Sequence, residues 1–235
     1  MNTRSEIAPP ARAFTLIELL TVIAIIGILA AIIIPTVGAV RGAADRAKAL
    51  SNLRQVTMSL LFYADDNKGL VPAIDGKNLN PAKPGWIYVL VEEGYLADPI
   101  SNAGITPPVR KRCLQQLYNP VTRKLYPDET IWNTGGWGLL DFGQMFRRHT
   151  IREFTAPSRQ VMIADGNMGT TGNCDWSLSR VGNLWPNTKT KGGANYGFCD
   201  GHVKWLKAQD PSQPNSRPEG ENEAVFFHNS TGAPL

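Results

Sequence analysis

Ala11-Arg-Ala-Phe-Thr-Leu-Ile-Glu-Leu-Leu20 opens an apolar run that continues to Pro35 with Glu18 as its one charged residue beyond Arg12. Residues 14–34 number 21, or about 31 Å of helix, enough to cross a hydrocarbon core. An acidic side chain at mid-bilayer costs about 2.5–3.5 kcal/mol on insertion scales, so Glu18 is expected to have a partner. A secretory signal peptide would carry a shorter apolar region followed by a small-residue cut. Here Ala30-Ala31 is followed by more Ile, so that reading fails. A plain anchor has no use for Glu18. Arg4 and Arg12 precede the span, and Arg41, Arg46, Lys48 and Arg54 follow it, so the positive-inside rule does not set its orientation.

After Pro35 the apolar positions are Val37, Val40, Ala44, Ala47, Leu50, Leu53, Leu60, Leu61 and Ala64, mostly three or four apart. Charged and polar residues fill the gaps, which predicts an amphipathic helix. It should end near Asn67, with Gly69 at or near the C-cap. Residues 14–67 therefore form one helix of roughly 80 Å, bent at Pro35 and membrane-spanning over 14–34.

The rest of the 235-residue chain is long enough for one globular head, residues 70–206, with its own core. Its many Gly and Pro residues predict short strands and loops. Trp86-Ile-Tyr-Val-Leu-Val91 reads as a short helix. Gln160-Val-Met-Ile-Ala164 reads as a strand ending at Asp165-Gly166. Tyr196-Gly-Phe-Cys199 and His202-Val-Lys-Trp-Leu206 read as a hairpin around Asp200-Gly201. Residues 207–235 read as a polar, Pro-rich tail, in which Ala224-Val-Phe-Phe227 is a candidate edge strand. The fold class is α+β: a long N-terminal helix packed against a small antiparallel-sheet, loop-rich head. A net charge of +4 without a dense basic block gives no reason to expect a nucleic-acid partner.

Phe14-Thr-Leu-Ile-Glu18, behind a short basic leader, resembles the processing and methylation site of type IV prepilins and type II secretion pseudopilins. The resemblance implies a leader of residues 1–13, a cut by prepilin peptidase between Ala13 and Phe14, and methylation of the new Phe14 amine. Ala13 stands where the family usually has Gly. Glu18 then falls at the family's glutamate, and Pro35 at a position where many members carry proline. A second segment, Gly192-Gly-Ala-Asn195 with Phe198-Cys-Asp-Gly-His-Val-Lys-Trp-Leu206, resembles the C-terminal H-x9-D-G signature of many prepilin-like proteins. Thr190 stands where that signature has His.

The two resemblances together imply a pilin-like fold and a non-enzymatic subunit of a type II secretion pseudopilus or type IV pilus-like filament. The implied partners are prepilin peptidase, other pilin or pseudopilin subunits, an inner-membrane assembly platform and membrane lipid. The implied location is the inner membrane, single-pass, with a periplasmic head. Glu18 and the Phe14 amine would set register during assembly, a use to which buried ion pairs are suited. The alternative is a surface protein that uses the leader only for export and binds a ligand through a Trp-rich head.

The head offers few candidates for chemistry. Asp165 and Asp200, with their Asp-Gly pairs, are candidate calcium ligands, because Ca²⁺ takes carboxylate and carbonyl oxygens. The competing reading is two hairpin turns. Cys113, Cys174, Cys199 and His202 lack zinc-site spacing. Three cysteines allow one disulfide and a free thiol, or none. Asp200 and His202 have no accompanying nucleophile motif. Six tryptophans suit a core that covers one long helix better than a row of binding platforms. Asn229-Ser-Thr231 matches a glycosylation acceptor that a prokaryotic context makes idle.

Overall fold

The computed structural model describes residues 15–72, 86–97, 117–125, 136–140, 150–154, 156–168, 174–175, 177–178, 192–210, 212 and 218–219. The candidate edge strand at Ala224–Phe227 lies outside them, as do Cys113 and Thr190. The chain divides into two units, Met1–Ala44 and Asp45–Leu235. A helix, α1 (Leu16–Asp66), begins in the first unit and ends in the second.

In the first unit, the large apolar side chains from Leu16 to Ile34 stand exposed all round the helix. Among the described residues this is the one helix long and apolar enough to span a membrane. Pro35 removes an N–H from the helical ladder. Next to it, Thr36 Oγ1 donates to the carbonyls of Ile33 at 2.8 Å and Ile32 at 3.3 Å.

In the second unit α1 buries Ala49, Asn52, Leu53, Val56, Thr57, Ser59, Leu60, Tyr63 and Ala64. This is a stripe at helical spacing, but turned from the expected one. Ala47 is exposed and Leu50 and Leu61 are half-buried, whereas Ala49, Val56 and Tyr63 lie inside. A Schellman closure ends the helix. Lys68 takes a left-handed φ of 60°, and Gly69 N–H donates to the Ala64 carbonyl at 2.6 Å. Gly69 has φ 86°, and a Cβ there would stand 2.7 Å from Arg152 Cγ. Both observations require glycine.

Helix α2 (Trp86–Glu92) forms where expected and buries Trp86, Ile87 and Leu90. Helix α3 (Pro120–Leu125) starts with Pro120 at its first position and Asn119 as its cap. Asn119 Oδ1 accepts from the N–H of Val121 at 3.0 Å and of Thr122 at 3.2 Å.

The strands are β1 (Trp137–Leu140), β2 (Val161–Asp165), β3 (Asn167–Met168), β4 (Cys174–Asp175), β5 (Ser177–Leu178), β6 (Gly193–Phe198) and β7 (Val203–Lys207). One sheet has the order β5-β1-β2-β6-β7. β1, β2, β6 and β7 are antiparallel, and the two-residue β5 joins β1 in parallel. β3 and β4 form a separate pair. The predicted hairpin forms, with Asp200 and Gly201 in the β6–β7 turn. Asp165-Gly166 is not a hairpin turn. Gly166 N–H donates to the Gly136 carbonyl at 2.8 Å and prolongs the β1–β2 ladder.

Both faces of the sheet are covered. On one, Leu139, Met162, Ile163 and Cys199 join a core with α1, α2 and Trp137. On the other, Val161, Ala164, Ala194, Tyr196 and Phe198 pack with Phe154 and Leu206. Every residue of β6 is therefore buried, and its sequence shows no polar alternation. A Cβ on Gly197 would meet Thr57 Oγ1 at 2.3 Å and Ile163 Cγ2 at 2.7 Å. Glycine lets β6 lie directly on α1.

Candidate functional site

Glu18 sits in the first turn of α1 and is the only charged side chain from Thr15 to Val40. Its Oε2 accepts from Thr15 N–H at 2.8 Å and from the Thr15 hydroxyl at 2.7 Å. Thr15 Oγ1 in turn accepts from Glu18 N–H at 3.3 Å. This is a reciprocal capping box, which satisfies donors that a helix start leaves without partners. It also turns the carboxylate toward the helix N-terminus, where the aligned peptide dipoles favour negative charge. Glu18 is exposed. Ala13 and Phe14 lie outside the described residues.

Asp165 lies at the end of β2, almost fully buried. Asn119 Nδ2 donates to its Oδ1 at 2.8 Å, and Asn195 N–H donates to its Oδ2 at 2.8 Å. Asn195 Nδ2 adds contacts of 3.1 and 3.3 Å. The cap of α3, the end of β2 and the start of β6 thus meet on one carboxylate. Burial pushes Asp165 up to about 7, against the pull of its Asn195 and Asn119 hydrogen bonds. The same burial, and the neighbouring Asp165, push the Tyr196 hydroxyl up.

Asp200 lies at the other end of β6. Its Oδ1 accepts from His202 N–H at 3.1 Å and lies 2.6 Å from His202 Nδ1. The His202 ring stacks on Phe198, 4.0 Å between centroids. Since Ala164 pairs with Tyr196 and Val161 with Phe198, Asp165 and Asp200 occupy opposite ends of the β2–β6 pair. The structure does not bring these two expected calcium ligands together. Among the described residues no three His, Cys, Asp or Glu side chains converge as a metal site. Trp86 and Trp137 are buried in the core, and Trp205 is 41% exposed on β7. The Asn119–Asp165–Asn195 link is not foreseeable from the chain, because nothing in the spacing of these residues signals it.

The arrangement defines a class: an apolar, membrane-competent helix that begins with an anchored carboxylate and leads into an α+β head. Residues 9–34 match the prokaryotic N-terminal methylation motif. The chain is 32% identical over 102 residues to the type II secretion system core protein G of Escherichia coli (strain K12), a match covering 39% of this chain and 68% of that protein. The chain belongs to the core protein G family, the pseudopilins. No solved structure matches it.

Proposed function

We propose that this chain is a structural subunit of a type II secretion pseudopilus or related filament, made from a precursor and assembled through its apolar helix. The observation that carries the reading is Glu18, the single charge on an apolar helix surface, exposed and held at the helix start by Thr15. In this reading prepilin peptidase cuts between Ala13 and Phe14, and the Phe14 amine is methylated and stays cationic. Residues 14–34 first span the inner membrane once, with the head in the periplasm. An assembly platform then lifts the subunit out of the lipid into a filament of other pilin or pseudopilin copies. There the helices bury one another's apolar surface, and the Phe14 amine of a neighbour pairs with Glu18. The hydrogen bonds from Thr15 keep the carboxylate oriented until that exchange. The chain is the substrate of the processing enzyme and carries no catalysis of its own.

Mass spectrometry of the mature N-terminus from native cells tests the reading. A methylated Phe14 terminus is expected. An intact Met1, or a cut after Ala30 or Ala31, overturns it.

A further inference from the structure

The β6–β7 hairpin rests on α1 at two glycines, Gly197 and Gly201. Gly197 lies over Thr57, where a Cβ would meet Oγ1 at 2.3 Å. Gly201, in the turn, lies over Met58 and Leu61, where a Cβ would stand 3.1 Å from both Met58 Sδ and Leu61 Cδ1. The two seats differ in their surroundings. Thr57 is fully buried, and its hydroxyl donates to the Leu53 carbonyl at 2.8 Å. Met58 is 37% exposed, Leu61 is half-buried, and the nearby Phe62 is exposed. The seat that solvent reaches therefore holds a thioether.

The turn is closed by its own bonds. Gly201 N–H donates to the Phe198 carbonyl at 2.9 Å, and Phe198 N–H donates to the His202 carbonyl at 3.0 Å. Asp200 Oδ1 accepts from His202 N–H at 3.1 Å. Gly201 has φ 90°, a conformation that glycine takes without strain. A turn built this way moves as a unit. It is kept down by its contact with Met58 and Leu61 and by Cys199, which packs in the core shared with α1. A change at Met58 is thus felt by the residues next to Cys199.

The chemistry open to Met58 is oxidation at sulfur. A sulfur lone pair attacks one oxygen of hydrogen peroxide. The S–O bond forms, the O–O bond breaks, and the proton on the transferred oxygen passes to the departing hydroxide, giving water. The sulfur is oxidised and the peroxide is reduced. The product is a sulfoxide, polar where the thioether was apolar. Its added oxygen sits on an atom that one extra carbon on Gly201 would already crowd, and it gains more from water than from Leu61. Met162 on β2 is fully buried in the same core and offers its sulfur no such access.

We propose that Met58 is an oxidation site and that its sulfoxide loosens the β6–β7 turn and uncovers Cys199. A peroxide acts on the helix, and the response appears in the hairpin. Methionine sulfoxide is reduced enzymatically, so the device is reversible.

The full chain in detergent is treated with dilute hydrogen peroxide, digested and weighed peptide by peptide. Met58 should carry the sulfoxide well before Met162. In the oxidised protein, deuterium exchange at Gly201 and His202 and maleimide labelling of Cys199 should both quicken several-fold. Methionine sulfoxide reductase should restore both rates. Met58→Leu keeps an apolar contact beneath the turn but has no sulfur, so its turn should be indifferent to peroxide. Equal oxidation of Met58 and Met162 overturns the proposal. Unchanged exchange and labelling in the sulfoxide, or the same peroxide response in Met58→Leu, also overturns it.

Discussion

The two parts of α1 share one backbone geometry and differ in what their side chains meet. From Leu16 to Ile34 no large apolar side chain is buried, and Leu16 itself is 76% exposed. From Ala49 to Ala64 nine residues are buried beneath the head. A helix apolar all round suits lipid or other helices, whereas a helix with one apolar stripe suits a single core. Stability of the head therefore resides in the second part, and the proposed assembly in the first. Substitutions of equal chemistry should have unequal effects in the two.

The largest effect is expected from Glu18→Ala. Filament incorporation should be lost while membrane insertion persists, because removing the charge makes the segment more apolar. Sheared-filament recovery against membrane fractionation measures both. Normal filaments would break the division by showing that the apolar part assembles without its charge.

Leu60→Ala should destabilise the head by about 2–5 kcal/mol, as for other fully buried leucines. Ile25→Ala, a comparable truncation on the exposed part, should leave head unfolding unchanged. Denaturant melts of both variants followed by tryptophan emission sharpen the comparison. Equal shifts would refute it.

Gly197→Ala forces a methyl group against Thr57 and Ile163, with an expected cost of about 1–3 kcal/mol. Adding Thr57→Ala should restore part of that loss, since the two sites share one contact. Additive losses would mean that β6 does not rest on α1 there.

The smallest effect is a pH slope confined to the head. Asp165 titrates near 4 when unfolded and about 7 when folded. Its raised folded value contributes stability that is fully present below pH about 4 and lost as pH rises toward 7. Melting temperatures over that window should carry this downward component, and Asp165→Asn should remove it. The same variant should cost about 1–3 kcal/mol, because an amide would set N–H against the donors of Asn119 and Asn195. An identical pH profile in the variant would place the titration elsewhere.

Much of this division is legible in the sequence. Period and composition give the long helix, the short helix at Trp86, the strand at Val161 and the Asp200-Gly201 hairpin. These are local signals, written in consecutive residues. The stripe on α1 is rotated from its expected place because Ala47 and Leu50 are as apolar as Ala49 and Val56, and only the packed head decides which are covered. Asp165-Gly166 reads as a turn, yet its role is set by Gly136, far away in sequence. The same holds for Asn119 and Asn195, which lie 46 and 30 residues from the carboxylate they grip. Polar pairing at such distance leaves no periodic trace. β1 escapes a reading by pattern for a similar reason, being four residues long with a glycine at its second position.

Cys199 comes directly after the last residue of β6 and is buried, without a disulfide. Burial, with a smaller push from Asp200, raises its thiol to about 12. Thiol exchange runs through an accessible thiolate, and here both access and ionisation are withheld. A chain with three cysteines would be exposed to mispairing in an oxidising compartment. Folding takes Cys199 out of that competition. In the proposed periplasmic setting the fold itself acts as the safeguard, and unfolding would be what releases a scrambling thiol.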